Sequence, residues 1–473
     1  MITRIEPTKT IAIIGGGVSG TLTAFHLVRQ RTSARVILID SRPDFGLGLA
    51  YSTPSLRHLL NVPAGKVSAL PDRPDHFLNW LRENYDSTAT ETAFAPRAVF
   101  GRYIQSLLTS TRPLEQEIAT VVDVRLQGSG GVLTLDNGSE LRADLIVLAT
   151  GNFDPAPLPG ITKAVSDSAL YHPNAWAAEI YKNLPLDAPI ALIGTGLTGV
   201  DVMLRLRELG YRGRIIAVSR HGTLPTRHAD YTPLRSSAIP LSTPATCVAY
   251  LRALRAAIRG GTKWRAAIDS LRDTTNELWL RLPIEEKKRF RRHLQRRWDV
   301  VRHRMAPSIA DFIESELRNG TLCIQEGHLE AVEAFSRGAF VTVRVPKGTE
   351  SFYAERVINC TGPSMNYRNV PSTLLQNLFK RGLITSGSFG TGFHCAADGA
   401  VVDAHGQVSE ILFNIGPGRL GDLLESIAIY EIRQEAVKLA LTLADRLRRR
   451  SVLPEETVTG AAIQELAEEW VTV

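Results

Sequence analysis

"IAIIGGGVSGTL" at residues 11–22 and "IALIGTGLTGVD" at residues 190–201 decide the fold. Each reads as an apolar strand, a glycine-rich turn and the start of a helix, and each carries the spacing G-x-G-x-x-G. That spacing becomes specific when it follows a strand, opens a helix and meets an acid about 20 positions on. The first stretch meets all three conditions, because the next strand, "RVILID", ends at Asp40. Gly15 permits the tight turn, Gly17 lets a diphosphate approach the backbone, and Gly20 lets helix and strand pack closely. The helix start offers unpaired N–H groups and its positive dipole end to phosphates. Asp40 can accept hydrogen bonds from ribose hydroxyls.

The second stretch has Gly194, Gly196 and Gly199 in the same places, but its next strand, "RIIAVSR", ends at Ser219-Arg220. A carboxylate there would repel a 2′-phosphate, whereas an arginine bridges one with charge-assisted hydrogen bonds. The second turn is therefore expected to take NADPH, with His221 and Arg227 as further phosphate candidates. The first turn has distant companions. Thr150 and Gly151 end the strand in "LIVLATGN", and Gly416 follows a strand in "LFNIGPGRLGDLLES", where a helix is expected from about Leu420. Segments converging from afar suit a resident FAD, while a compact local site suits a nucleotide that binds and leaves. "VLATGN" is echoed by "INCTGP", so the internal repeat extends a little beyond the glycines.

The expected architecture is α/β, with two Rossmann-like dinucleotide-binding domains, for FAD and for NADPH, and an additional helical segment. Residues 1–187 would form the first part of the FAD domain and 188–240 the NADPH domain. A basic helical segment, 241–305, is a candidate substrate or cap region. Residues 306–473 would complete the NADPH domain and then the FAD domain, closing with helices near 420–445 and 460–471. At 473 residues, 44% of them apolar and 22% charged, the chain reads as globular with two or three domains. It has no apolar run long enough for a membrane span. "MITRIEPTKT" lacks the order of a signal peptide, so a cytoplasmic location is expected.

The net charge of +7 comes from one place: residues 251–306 hold 16 Lys/Arg against 6 Asp/Glu, so the remainder is slightly acidic. In "EEKKRFRRHLQRRWDVVRHR" the apolar positions recur at helical spacing, which favours an amphipathic helix over a nucleic-acid surface. Cys247, Cys323, Cys360 and Cys395 lie far apart, giving neither a dithiol redox pair nor a metal ribbon. No metal is expected.

The sequence resembles flavoprotein monooxygenases, and more closely the FAD/NAD(P)-binding family related to single-component N-hydroxylating monooxygenases (ornithine and lysine N-hydroxylases). The resemblance rests on "GLGLAYSTPSLRHLLNVPAGKVSALPDRPDHFLNWL" at 46–81, "PRAVFGRYIQSLL" at 96–108, "WRAAIDSLR", "RRWDVVRHRMAP" and "DGAVVDAHGQVSEILFNIGPGRLGDLLESIAIYEIR". It covers most of the chain. It implies an FAD domain built from both ends of the chain, with the NADPH domain inserted. NADPH would reduce the flavin, and a C4a-peroxyflavin formed with molecular oxygen would oxygenate a small substrate, usually at an amine nitrogen. In such chemistry the protein excludes water and positions the substrate.

The same layout sets "RHLLNVPAGK" on the flavin face, with His58, Asn61 and Lys66 as catalytic candidates. Asn61 leads, since a neutral donor and acceptor can contact flavin edges. Arg97, Arg102, Tyr103 and Arg419 are secondary candidates. The substrate motifs of ornithine hydroxylases have no residue-by-residue counterpart here, so substrate identity and self-association stay open. Two alternatives also remain: an NAD(P)H:acceptor oxidoreductase without oxygen insertion, and a flavin-bearing redox sensor.

Overall fold

The computed structural model describes residues 9–111 and 114–452; the helix expected at 460–471 lies outside the described residues. Continuous apolar runs mark strands covered on both faces, and β1 (Thr10–Ile14) is buried at every residue. After the first glycine turn come α1 (Val18–Arg29) and β2 (Arg35–Asp40), which runs parallel to β1 with Ile11 against Val36. An excursion carries the short α2 (Gly48–Tyr51), then α3 (His76–Asn84) and α4 (Arg97–Thr109). Strand β3 (Glu115–Ile118) leads into an antiparallel meander, β4 (Val121–Gln127), β5 (Gly130–Leu135) and β6 (Glu140–Ala143). Strand β7 (Leu145–Leu148) then returns beside β1.

The second half repeats this plan. Helix α5 (Lys163–Ser166) and β8 (Tyr171–His172) lead to β9 (Ile190–Ile193), the second turn, α6 (Leu197–Glu208) and β10 (Ile215–Ser219). Its excursion is the helical segment: α7 (Cys247–Arg259), α8 (Trp264–Asp269), α9 (Thr275–Arg281), α10 (Ile284–His293), α11 (Gln295–Arg302) and α12 (Pro307–Arg318). Strand β11 (Leu322–Glu326) precedes another antiparallel meander, β12 (His328–Phe335), β13 (Gly338–Val345) and β14 (Gly348–Ala354). Strand β15 (Arg356–Asn359) lies parallel beside β9. The chain returns to the first sheet through α13 (Thr373–Lys380), β16 (Ala400–Val402), β17 (Val408–Asn414) and α14 (Ile429–Val452).

The sheets read β16-β17-β7-β1-β2-β3 and β11-β10-β9-β15-β8. Thus β3-β2-β1-β7 in one corresponds to β11-β10-β9-β15 in the other, each with a meander before its fourth strand. The α/β architecture with two dinucleotide-binding folds is present, and the repeat spans whole domains. Successive residues of β1 serve two cores. Ile11 and Ile13 pack with residues of α1, α4 and α14, whereas Ala12 and Ile14 pack with the meander and α13.

Three boundaries differ from expectation. The second sheet takes β8 at Tyr171–His172, ahead of residue 188, because Tyr171 pairs with Val357; a two-residue strand has no period to read. The basic segment is a set of short helices, interrupted at Gly260-Gly261 and at Pro283. Residues Gly416–Gly421, with Pro417, Gly418 and Gly421 among them, form a 3-10 turn, so the last described helix starts at Ile429 instead of about Leu420.

Candidate functional site

The first glycine turn has the shape a diphosphate needs. Gly15 has φ +114, and a Cβ there would lie 2.1 Å from the Ala149 carbonyl oxygen. A Cβ on Gly20 would lie 1.9 Å from the Gly15 oxygen, so neither position admits a side chain. At Gly17 the nearest atom to such a Cβ is Gly48 Cα at 3.4 Å, leaving the middle of the turn open. Gly17 caps α1 without any side-chain cap, so the helix N–H groups remain for a ligand. Asp40 braces the turn: Oδ2 accepts from the Gly16 N–H at 2.7 Å and Oδ1 from Arg42 N–H at 2.9 Å. A carboxylate has about four acceptor sites, so ribose can still be met.

The companions converge as expected. Thr150 and Gly151 follow β7 at the turn, and the Gly151 carbonyl accepts from the Tyr367 hydroxyl at 2.9 Å. Gly416 has φ +81 and sits so close to α1 that a Cβ would lie 2.5 Å from Ser19 Oγ.

The second turn repeats the geometry. Gly194 has φ +120, with a Cβ position 2.4 Å from the Cys360 oxygen, and that of Gly199 is 2.6 Å from the Gly194 oxygen. A Cβ on Gly196 would meet nothing within 4 Å. The "CTG" at 360–362 thus stands to this turn as "ATG" stands to the first. Ser219 Oγ lies 2.8 Å from Thr195 Oγ1, and Arg220 is exposed with no ion-pair partner among the described residues.

These residues line a cavity of about 1830 Å³, walled opposite by Lys288, Arg289, Arg292, Arg296 and Arg297 of α10 and α11. Arg296 reaches the turn itself, donating to the Thr223 carbonyl at 2.5 Å and to Thr195 Oγ1 at 3.3 Å. Burial lowers the Arg296 pKa, and repulsion from Arg220 adds to it. An anion between the arginines would relieve both effects. The basic segment is therefore a wall of the second cradle. His221 lines the same cavity, whereas Arg227 is paired with Asp311.

Between the second turn, at Gly196, and the first domain's segments around residues 50–67 and 427–430 lies a cavity of about 350 Å³, lined by Asn61, Lys66, Trp176, Gly196, His303 and Tyr430 among others. A charged chamber of about 660 Å³ continues from it past Asn61, Lys66 and His303. The loop bearing Asn61 is pinned from two sides. His228 Nε2 donates to the Asn61 carbonyl at 2.9 Å, and burial pushes that imidazole down to about 4. His58 Nε2 donates to the Asp201 carbonyl at 2.9 Å, which makes Nδ1 the acceptor for Thr53 Oγ1 at 2.7 Å.

Of the three catalytic candidates, Asn61 and Lys66 thus reach the cavity. His58 is buried, lowered in pKa by desolvation and committed at both nitrogens, so it joins the two domains and has no nitrogen left for a ligand. Arg97 forms a 2.6 Å ion pair with Asp201 at the cavity wall, while Arg102 is exposed and Tyr103 fully buried. Arg419 is buried, and its guanidinium donates to the Ala397 carbonyl at 3.5 Å and lies near Glu435.

Sequence reasoning missed His303, Arg296 and Trp176. Burial pushes the His303 imidazole below its usual range, which favours its neutral form. Its signal was the "RRWDVVRHRMAP" stretch, in which the basic residues drew attention away from the histidine just past the end of α11.

Residues 12–153 match a family described as FAD-NAD(P)-binding, which places the first glycine turn in such a domain. The uncharacterized protein YdhS of Escherichia coli K12 is 24% identical over 217 residues, 41% of this chain and 39% of that protein. The Baeyer-Villiger monooxygenase ATR8 of Stachybotrys chlorohalonatus is 26% identical over 226 residues, 43% of this chain and 32% of that protein. The matches thus span well under half the length of these curated relatives. Among solved structures, ornithine hydroxylase PvdA from Pseudomonas aeruginosa superposes with a TM-score of 0.66 at 14% identity. It covers 93% of this chain and 100% of its own. The chain has the fold of that enzyme. No helix among the described residues is long and apolar enough to cross a membrane.

Proposed function

We propose that the chain is an FAD- and NADPH-dependent monooxygenase that transfers one oxygen atom from O₂ to the nitrogen of a small amine, acting in the cytoplasm. The observation that carries this reading is a 350 Å³ cavity that lies between the second glycine turn, at Gly196, and the loop of the first domain that bears Asn61 and Lys66. FAD, when bound, supplies the redox chemistry, taking a hydride from the nicotinamide and delivering electrons to oxygen.

The chain's own residues do the rest. Gly15, Gly17, Gly20 and the start of α1 hold the FAD diphosphate, Asp40 its ribose, and Thr150, Gly151 and Gly416 close the groove. Gly194, Gly196 and Gly199 hold the NADPH diphosphate, while Ser219 and Arg220 take the 2′-phosphate. Asn61 presents a neutral donor and acceptor to the cavity, and Lys66 a cation for a substrate carboxylate. An ammonium must lose a proton before its nitrogen has a lone pair, and His303, in the cavity lining, is the imidazole placed to accept it. Trp176 and Tyr51 wall the cavity and exclude water.

The test is NADPH consumption by the FAD-loaded protein across a panel of amines and amino acids, with hydroxylamine as the product measured. Amine-stimulated turnover with hydroxylamine formation is expected. NADPH consumption that no amine stimulates would sink the amine reading; a ketone converted to an ester would move the oxygen to carbon, the activity that the name of the fungal relative carries. Arg220→Ala should raise KM for NADPH by about ten- to a hundredfold while leaving NADH nearly unchanged. Equal losses for both nucleotides would remove Arg220 from the phosphate site.

A further inference from the structure

Helices α7 to α11 contain a second kind of cavity, apolar and outside the electron path. Buried side chains of these helices and of the segments before and between them form two small clusters, Ile239, Leu271 and Leu278 in one and Cys247, Trp279 and Leu282 in the other. All six line a single cavity of about 360 Å³. The apolar face of α7 opens onto it: Leu251, Leu254 and Ile258 fall at helical spacing, yet Cys247 is the one buried residue of that helix. Protein interiors tolerate few voids larger than a water molecule. A half-covered apolar face over a space this large therefore marks a place for a ligand.

The polar atoms in the wall define its chemistry. The Tyr250 hydroxyl donates to Leu278 O at 3.2 Å and Thr275 Oγ1 to Leu271 O at 2.8 Å. Trp279 Nε1 donates to Asp422 O at 3.0 Å, and the Cys247 thiol to Glu286 O at 3.1 Å. All four are satisfied by protein carbonyls. The charge in the lining comes from Arg255 of α7 and Arg297 of α11, both exposed and without a carboxylate partner among the described residues. Arg297 also faces the nucleotide cavity, so the two spaces adjoin along α11.

We propose that this cavity binds a medium-chain aliphatic monocarboxylate, its chain against Leu251, Leu254 and Ile258 and its carboxylate met by Arg255 and Arg297. At ~30 Å³ per water-sized group, the space takes about a dozen heavy atoms. The site is distinct from the amine-oxygenation reading, and binding is measured without turnover, so either can fail alone.

The test titrates the full-length, FAD-loaded protein with unbranched carboxylates from hexanoate to tetradecanoate. Calorimetry gives the stoichiometry, and tryptophan fluorescence reports the site, since Trp264, Trp279 and Trp298, three of the six tryptophans, line the cavity. One-to-one binding is expected, tightening by about fourfold per methylene and levelling off near a dozen atoms. Decanoate should bind about tenfold more tightly than decanol, and Arg255→Gln with Arg297→Gln should erase that preference. Leu254→Trp and Ile258→Trp should each abolish binding while the flavin absorbance is retained. Absence of saturable decanoate binding to the unaltered protein overturns the proposal, as does binding that persists in a folded filling variant or tightens without levelling. If one filling variant does not fold, the other and the chain-length series still decide.

Discussion

Asp201 is 3% exposed, and Arg97, on a helix of the other domain, pairs with it at 2.6 Å. Its carbonyl accepts from His58, so one residue joins the domains twice beside the shared cavity. Removing one partner of a buried pair costs about 3–5 kcal/mol, mostly through the charge left behind. Arg97→Ala should therefore lower stability by about that amount in denaturant unfolding, and adding Asp201→Asn should recover much of the loss. If the single and double variants unfold alike, the pair contributes nothing. Contacts of this kind were illegible in the sequence. "RHLLNVPAGK" displays three polar candidates with Asn61 ahead, and only packing shows that His58 turns to Asp201 while Asn61 and Lys66 reach the cavity. His303 was hidden for the opposite reason, since its basic neighbours explained the stretch without it.

The glycine turns are the elements in which sequence and structure agree most closely, because backbone conformation there depends on the absence of a side chain. The same geometry separates glycines that hold the turn from those that face the ligand. Gly194→Ala forces a Cβ at φ +120 to within 2.4 Å of the Cys360 oxygen and should cost about 2–4 kcal/mol. Gly196→Ala has φ −77 and open space, so stability should be unchanged or slightly raised while NADPH binding weakens by about tenfold or more. Thermal midpoints and nucleotide titration check the pair, and equal effects of the two variants would contradict the assignment of roles. Helix termini were less legible. Asp40 and Ser219 end their strands as read, but Pro417, Gly418 and Gly421 delay the last described helix to Ile429.

At the scale of the whole molecule, burial of imidazoles sets the pH dependence of stability. His26, His172 and His228 are pushed from about 6.5 down to about 4, so the unfolded chain binds more protons between those values. Their contribution is complete above about pH 6.5 and is lost as pH falls towards about 4. Glu435, raised to about 7 by burial, acts oppositely, contributing most below about pH 4.5 and losing that contribution as pH rises through about 7. With His58, His76 and His303 also lowered and Glu431 also raised, the imidazoles outnumber the opposing carboxylates, so thermal midpoints should fall as pH drops from about 7 to about 5; a flat or rising profile would contradict this.

The domain plan was partly legible, since two short repeats marked both cradles. The matching strand order and meanders were not, because they depend on pairings between strands far apart in sequence. On the proposed function, one chain stores electrons at the first cradle and receives them at the second. Anaerobic mixing of the FAD-loaded protein with NADPH tests it most directly. The yellow flavin should bleach fully at far lower NADPH than NADH, and the Gly196→Ala variant should bleach slowly. A protein that retains no FAD, or whose flavin NADPH leaves oxidised, would contradict it.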